Sequence, residues 1–138
     1  MLRMTFAAVL LLAGCSQMVT APQDRHAAHL DPVPGKAVIY IVRTPMDSRE
    51  ASSLALDDRE QITTLRGTYY RWEVDPGTYR LKGVGPTNES ITLSAGPGSV
   101  HFLEHTVTGT LRSGVQLTAI RAISPEAGRT LVLRSERL

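Results

Sequence analysis

From Lys36 onward short β-rich runs, separated by turn-forming residues, recur at intervals of roughly 8 to 12 residues, and this rhythm constrains the fold more than any other feature. Proline, glycine and aspartate recur at Pro45, Asp57-Asp58, Asp75-Pro76-Gly77 and Gly96-Pro97-Gly98. The runs between them are rich in valine, isoleucine, threonine and tyrosine, which suit an extended, pleated backbone. Runs this short leave no room for the helices of a bundle, which average about 10–14 residues. An all-β sandwich of about 7–8 mainly antiparallel strands follows.

The runs differ in how they bury. Ala37-Val38-Ile39-Tyr40-Ile41-Val42 is apolar on both faces, as a central strand covered on both sides would be. Ser53-Leu54-Ala55-Leu56 reads as a short strand, with Asp57-Asp58 as a tight turn into Gln61–Leu65. In Thr68–Val74, Tyr70, Trp72 and Val74 share the inward face, with Arg71 and Glu73 opposite. Thr78–Val84 puts Tyr79 and Leu81 on one face and Arg80 and Lys82 on the other. Ile91-Thr92-Leu93 and Val100–His105 follow, and Val115–Ile123 closes the series with Val115, Leu117, Ala119 and Arg121 on alternate positions. Ser124-Pro125-Glu126 then offers an N-cap, a first-turn proline and an early negative charge. A short C-terminal helix over 124–136 is preferred to a last strand, although Gly128 and Thr130 disfavour it.

The start of the chain is of another kind. Arg3 precedes an uncharged run that ends at Leu12-Ala13-Gly14-Cys15, the layout of a secretory signal with a small-residue cleavage site. The run is too short to span a bilayer, which takes about 20 apolar residues. Its last four residues resemble the bacterial lipobox. That resemblance implies diacylglycerol on the Cys15 thiol, cleavage of residues 1–14, and acylation of the new amino group. Two or more acyl chains anchor stably, at about 0.8 kcal/mol per buried CH₂. Cys15 is the only cysteine, so the processed chain has no thiol for a disulfide and depends on packing. Ser16 follows it, and by analogy with enteric sorting this points to the outer membrane, facing the periplasm.

Residues 15–34 carry three prolines and no apolar periodicity, and read as a flexible tether. Residues 35–138 suffice for one domain with a single core. Of the 15 basic residues 13 are arginine, interspersed with acidic ones and forming no basic run, which excludes a nucleic-acid reading.

Gly35-Lys36-Ala37-Val38-Ile39-Tyr40-Ile41-Val42-Arg43 resembles the opening strand of a widespread family of small bacterial lipoproteins of unknown function. The family's "Leu-Asp-Gly" turn has a counterpart in Leu56-Asp57-Asp58, and its Gly-Tyr strand in Gly67-Thr68-Tyr69-Tyr70. Its Pro-Gly turn is matched by Pro76-Gly77-Thr78-Tyr79, and its late strand by Val100-His101-Phe102-Leu103. The likeness covers about residues 35–125 and departs at Asp58, where glycine is usual, and at Pro97. It implies a β-sandwich of the transthyretin-like or carboxypeptidase-regulatory-like kind, and no activity.

Candidate chemistry is sparse. His101 and His105 would chelate if helical, but four residues of strand span about 13 Å. His26 and His29 lie in the tether, where gathering an ion costs conformational entropy. Neither Gly96-Pro97-Gly98-Ser99 nor Gly83-Val84-Gly85 has the surroundings of a nucleophile elbow or a dinucleotide loop. Tyr70 and Trp72 suit either a core or a sugar-stacking platform, with the core preferred. The expectation is a non-catalytic, lipid-anchored envelope protein with a protein partner, taking no metal or other cofactor. The alternative is a small-ligand or glycan/peptidoglycan-binding module at the open end of the sandwich or at an exposed strand edge.

Overall fold

A computed structural model describes residues 30–84, 89–110, 112 and 114–138. Cys15, His26 and His29 lie outside the described residues. The strands are β1 (Ala37–Val42), β2 (Ser52–Leu56), β3 (Glu60–Thr64), β4 (Thr68–Val74) and β5 (Gly77–Val84). They continue with β6 (Ser90–Ala95), β7 (Val100–Thr110) and β8 (Val115–Ala122), then helix α1 (Pro125–Leu133) and a two-residue β9 (Glu136–Arg137). A five-stranded sheet in the order β8-β7-β1-β4-β9 faces a four-stranded sheet in the order β3-β2-β5-β6.

All six residues of β1 are buried because the larger sheet is covered on both faces. Ile39, Ile41, Leu54, Leu56, Leu81 and Leu103 form the core between the sheets. On the outer face, Val38, Tyr40, Val42 and Phe102 meet Val132 of α1. Leu30 and Val33, from the stretch read as tether, also pack there. The Tyr40 and Phe102 rings stack at 5.3 Å. The architecture is therefore helix on sheet on sheet, and the twofold burial of β1 is the mark of the middle layer.

The alternation within strands follows the sequence closely. Both Asp57 and Asp58 adopt left-handed backbone (φ 51° and 54°), as a type I′ hairpin turn demands. The short aspartate side chain tolerates that conformation where most residues do not. Pairing is mainly antiparallel, but β1–β7 and β4–β9 are parallel.

At the C-terminus the helix forms. The Ser124 side chain accepts from Ala127 N–H, and Pro125 occupies the first turn. Gly128, which weakens the helix locally, lies directly on the Phe102 ring, where a β-carbon would clash. The glycine thus permits close approach of helix to sheet. In β8, by contrast, the apolar set faces outward: Val115 is 53% and Leu117 44% exposed, while Gln116, Thr118 and Ile120 are buried. Gln116 donates to the Ala51 carbonyl at 3.2 Å, tying the β7–β8 hairpin to the start of the smaller sheet.

The loop from β1 to β2 is closed by Arg43, which is 1% exposed. Its Nε meets Asp47 at 3.0 Å, and its other nitrogens donate to the carbonyls of Ser48, Glu50 and Thr64 at 2.7–2.9 Å. The Asp47 carboxylate accepts in turn from Val107 N–H of β7. One guanidinium therefore links the loop to both sheets.

Candidate functional site

At one end of the sandwich the β2–β3 and β4–β5 turns flank the entry of the chain at Lys36. Between the free part of the β4 edge and the β2–β3 turn lies a cleft of about 270 Å³. β4 is left open here because β9 pairs only with Thr68 and Tyr69. Trp72 and Tyr79 form the aromatic wall and Asp57, Glu60, Glu73 and Asp75 supply the carboxylates, while Leu56 and Val74 lie buried behind them.

Trp72 is half-buried. It packs on the inter-sheet core, as its inward position requires, and it also lines the cleft. The Tyr79 ring meets it edge-on, with centroids 5.1 Å apart and planes at 72°, a favoured aromatic geometry. Tyr79 is fixed by donating its hydroxyl to the Asp75 carbonyl at 2.6 Å. Tyr70, two residues before Trp72 on the same face, reaches across to the other sheet and donates to Glu60 at 2.7 Å. Burial, and then the Glu60 carboxylate, push the Tyr70 phenol up to about 12, so it stays a donor.

The charges divide into paired and unpaired. Lys36 bonds Asp75 at 2.6 Å, and that hydrogen bond, with the attraction behind it, raises the lysine pKa. Arg59 lies 3.6 Å from Asp57. Glu73 is held at 3.0 Å by the nearly buried side chain of Arg71, its neighbour on the face of β4 opposite Trp72. Glu60 has only the neutral Tyr70 hydroxyl, and no cation pairs with it among the described residues.

His101 and His105 are not part of this cleft. His101, Leu103 and His105 do share one face of β7, with Phe102 and Glu104 opposite. His101 lines a separate hollow of about 170 Å³ with Leu93 and Pro125, and its ring bonds Ser99 at 2.9 Å. Burial lowers its pKa. His105 is fully buried, with Nδ1 3.0 Å from the Thr64 hydroxyl. That hydroxyl donates its one proton to the Ser52 carbonyl, so Nδ1 carries the hydrogen and Nε2 is left without a partner. Burial first, and Arg43 second, lower the His105 pKa to about 4. Asp57 and His101 thus lie in different hollows, and no acid–base pair forms between them.

Among the described residues no three histidine, cysteine, aspartate or glutamate side chains gather as a metal site. Among them, too, no helix is long and apolar enough to cross a membrane. Trp72 was legible from sequence as an inward aromatic of its strand. Tyr79 on β5, Glu60 on β3 and the turn residues Asp57 and Asp75 reach the same cleft only through the tertiary fold.

No known family model matches the chain, and no curated protein matches it.

Proposed function

We propose that the chain is a lipid-anchored, non-catalytic binding module of the bacterial envelope. Cys15 carries the lipid, the stretch behind it acts as a tether, and the sandwich stands off the outer membrane on its periplasmic side. The domain engages an envelope protein at the cleft beside Trp72. The observation that carries this reading is the half-buried Trp72 ring, braced by Tyr79 in a cleft rimmed by carboxylates. A rigid aromatic at the bottom of a small cleft with a polar rim is the usual anatomy of a binding hot spot. The lipobox-like Leu12-Ala13-Gly14-Cys15 and the motifs shared with small lipoproteins support the anchoring half.

A glycan is the second reading, favoured by the same indole and phenol pair, since aromatic walls with nearby carboxylates can stack a sugar and bond its hydroxyls. Crosslinking in intact cells from a photoreactive residue at Glu60 tests the choice. Capture of one protein supports the first reading. Capture of no protein, together with retention on a glycan column that Trp72→Ala abolishes, supports the second. Anchoring is tested separately: Cys15→Ala should abolish labelling by radioactive palmitate and release the chain from membranes. Unchanged labelling and partitioning of the variant would refute it.

A further inference from the structure

Resting on the reading of the Trp72 cleft as a binding site, we propose that it is selective for an organic cation, and that its occupant is a lysine side chain of the partner protein. Two independent features converge on a cation with an apolar stem. The first is charge. Four carboxylates line the cleft against two bases, Lys36 and Arg59, and both bases are placed against rim aspartates. Glu60 is left with a neutral hydroxyl as its sole described partner, so one carboxylate at the cleft lacks a counter-charge. The second is the aromatic wall. Trp72 offers the ring that attracts cations best, and Tyr79 stands edge-on to it. The partly exposed Trp72 and Tyr79 rings would also cover methylenes while the charge stays at the carboxylates. An anion would meet the unpaired carboxylate, and a neutral ligand would leave that charge uncompensated.

The size agrees. A volume of about 270 Å³ holds one extended four-carbon stem and its ammonium, and is small for a folded peptide. The ligand is therefore one side chain presented by a larger partner.

Trp72 is the only tryptophan of the sequence, so its fluorescence reports on the cleft directly. The experiment titrates the full chain, in non-ionic detergent, with 1,5-diaminopentane and with an acetylated, amidated Ala-Lys-Ala peptide. Pentanol and glutarate serve as neutral and anionic controls, and calorimetry runs beside fluorescence to detect binding that leaves the emission unchanged. Both cations are expected to bind, the peptide at least as well as the free diamine, and added salt should weaken both. Glu60→Gln, which keeps an acceptor for Tyr70, should reduce cation affinity about tenfold. Glu126→Gln on the distant helix should leave it unchanged.

Equal binding of pentanol or glutarate would overturn the proposal, as would an unaltered affinity in Glu60→Gln. Binding of the diamine but not of the peptide would overturn the assignment to a protein lysine. If no cation binds while an N-acetylglucosamine oligomer does, this inference falls and the cleft remains a ligand site. If neither binds and crosslinking at Glu60 also captures nothing, both fall.

Discussion

Single residues carry more of the tertiary organisation than their sequence context suggests. His105, whose strand spacing from His101 argued against a shared metal, is a neutral ring inside the protein, hydrogen-bonded through Nδ1 to Thr64. Its folded pKa of about 4 lies below the ordinary histidine value of 6.5. The unfolded chain therefore takes up a proton first as pH falls. The associated stability is complete above about pH 6.5 and is lost down to about pH 4, amounting to about 3 kcal/mol. Denaturant unfolding across this range should show a steeper loss in the natural chain than in His105→Gln, which cannot titrate; parallel curves would contradict the assignment. Asp58 makes a second case. Its left-handed backbone fits aspartate or glycine, so Asp58→Val should lose about 1–2 kcal/mol and Asp58→Gly should not. Equal melting temperatures for the two variants would count against that turn geometry. The turn was legible because paired aspartates announce it. The burial of His105 was not, because alternation gives a face and says nothing of what covers it.

Among the elements, the helix and β8 teach opposite lessons. Ser124-Pro125-Glu126 signalled the helix start, and Ser124 caps it. Gly128 read as a weakness, and against Phe102 it proves to be the clearance the helix needs. Gly128→Ala should therefore destabilise the domain. The gain of about 1 kcal/mol in helix propensity is outweighed by overpacking of about 1–3 kcal/mol. A rise in melting temperature would show that the helix can lift from the sheet without penalty. In β8 the apolar alternation Val115, Leu117 was legible, but it points outward. Hydrophobic period identifies a strand and does not orient it once polar groups have their own claims. Gln116 turns inward because its amide reaches the Ala51 carbonyl, a partner 65 residues away.

For the molecule as a whole, the two sheets are joined by burial and by the Arg43 network. Arg43 closes a motif in the sequence, yet its three-way role depends on Thr64 in one sheet and on Asp47, which bonds Val107 in the other. Arg43→Leu leaves the Asp47 carboxylate buried without its cation and should cost about 3–5 kcal/mol. Loss of both sheets in one cooperative transition at lower denaturant is expected, and separate transitions would show that the network does not couple them. By itself the sequence determined the strand rhythm, the doubly covered β1, the turns and the helix cap. These depend on local conformational preference and on the period of apolar residues. Only the tertiary structure decided the parallel pairing of β1 with β7, the outward face of β8, and the meeting of Trp72, Tyr79 and Glu60 at one cleft. Those depend on which strands become neighbours, and that is settled by burial summed over the whole chain, where no single segment carries the information.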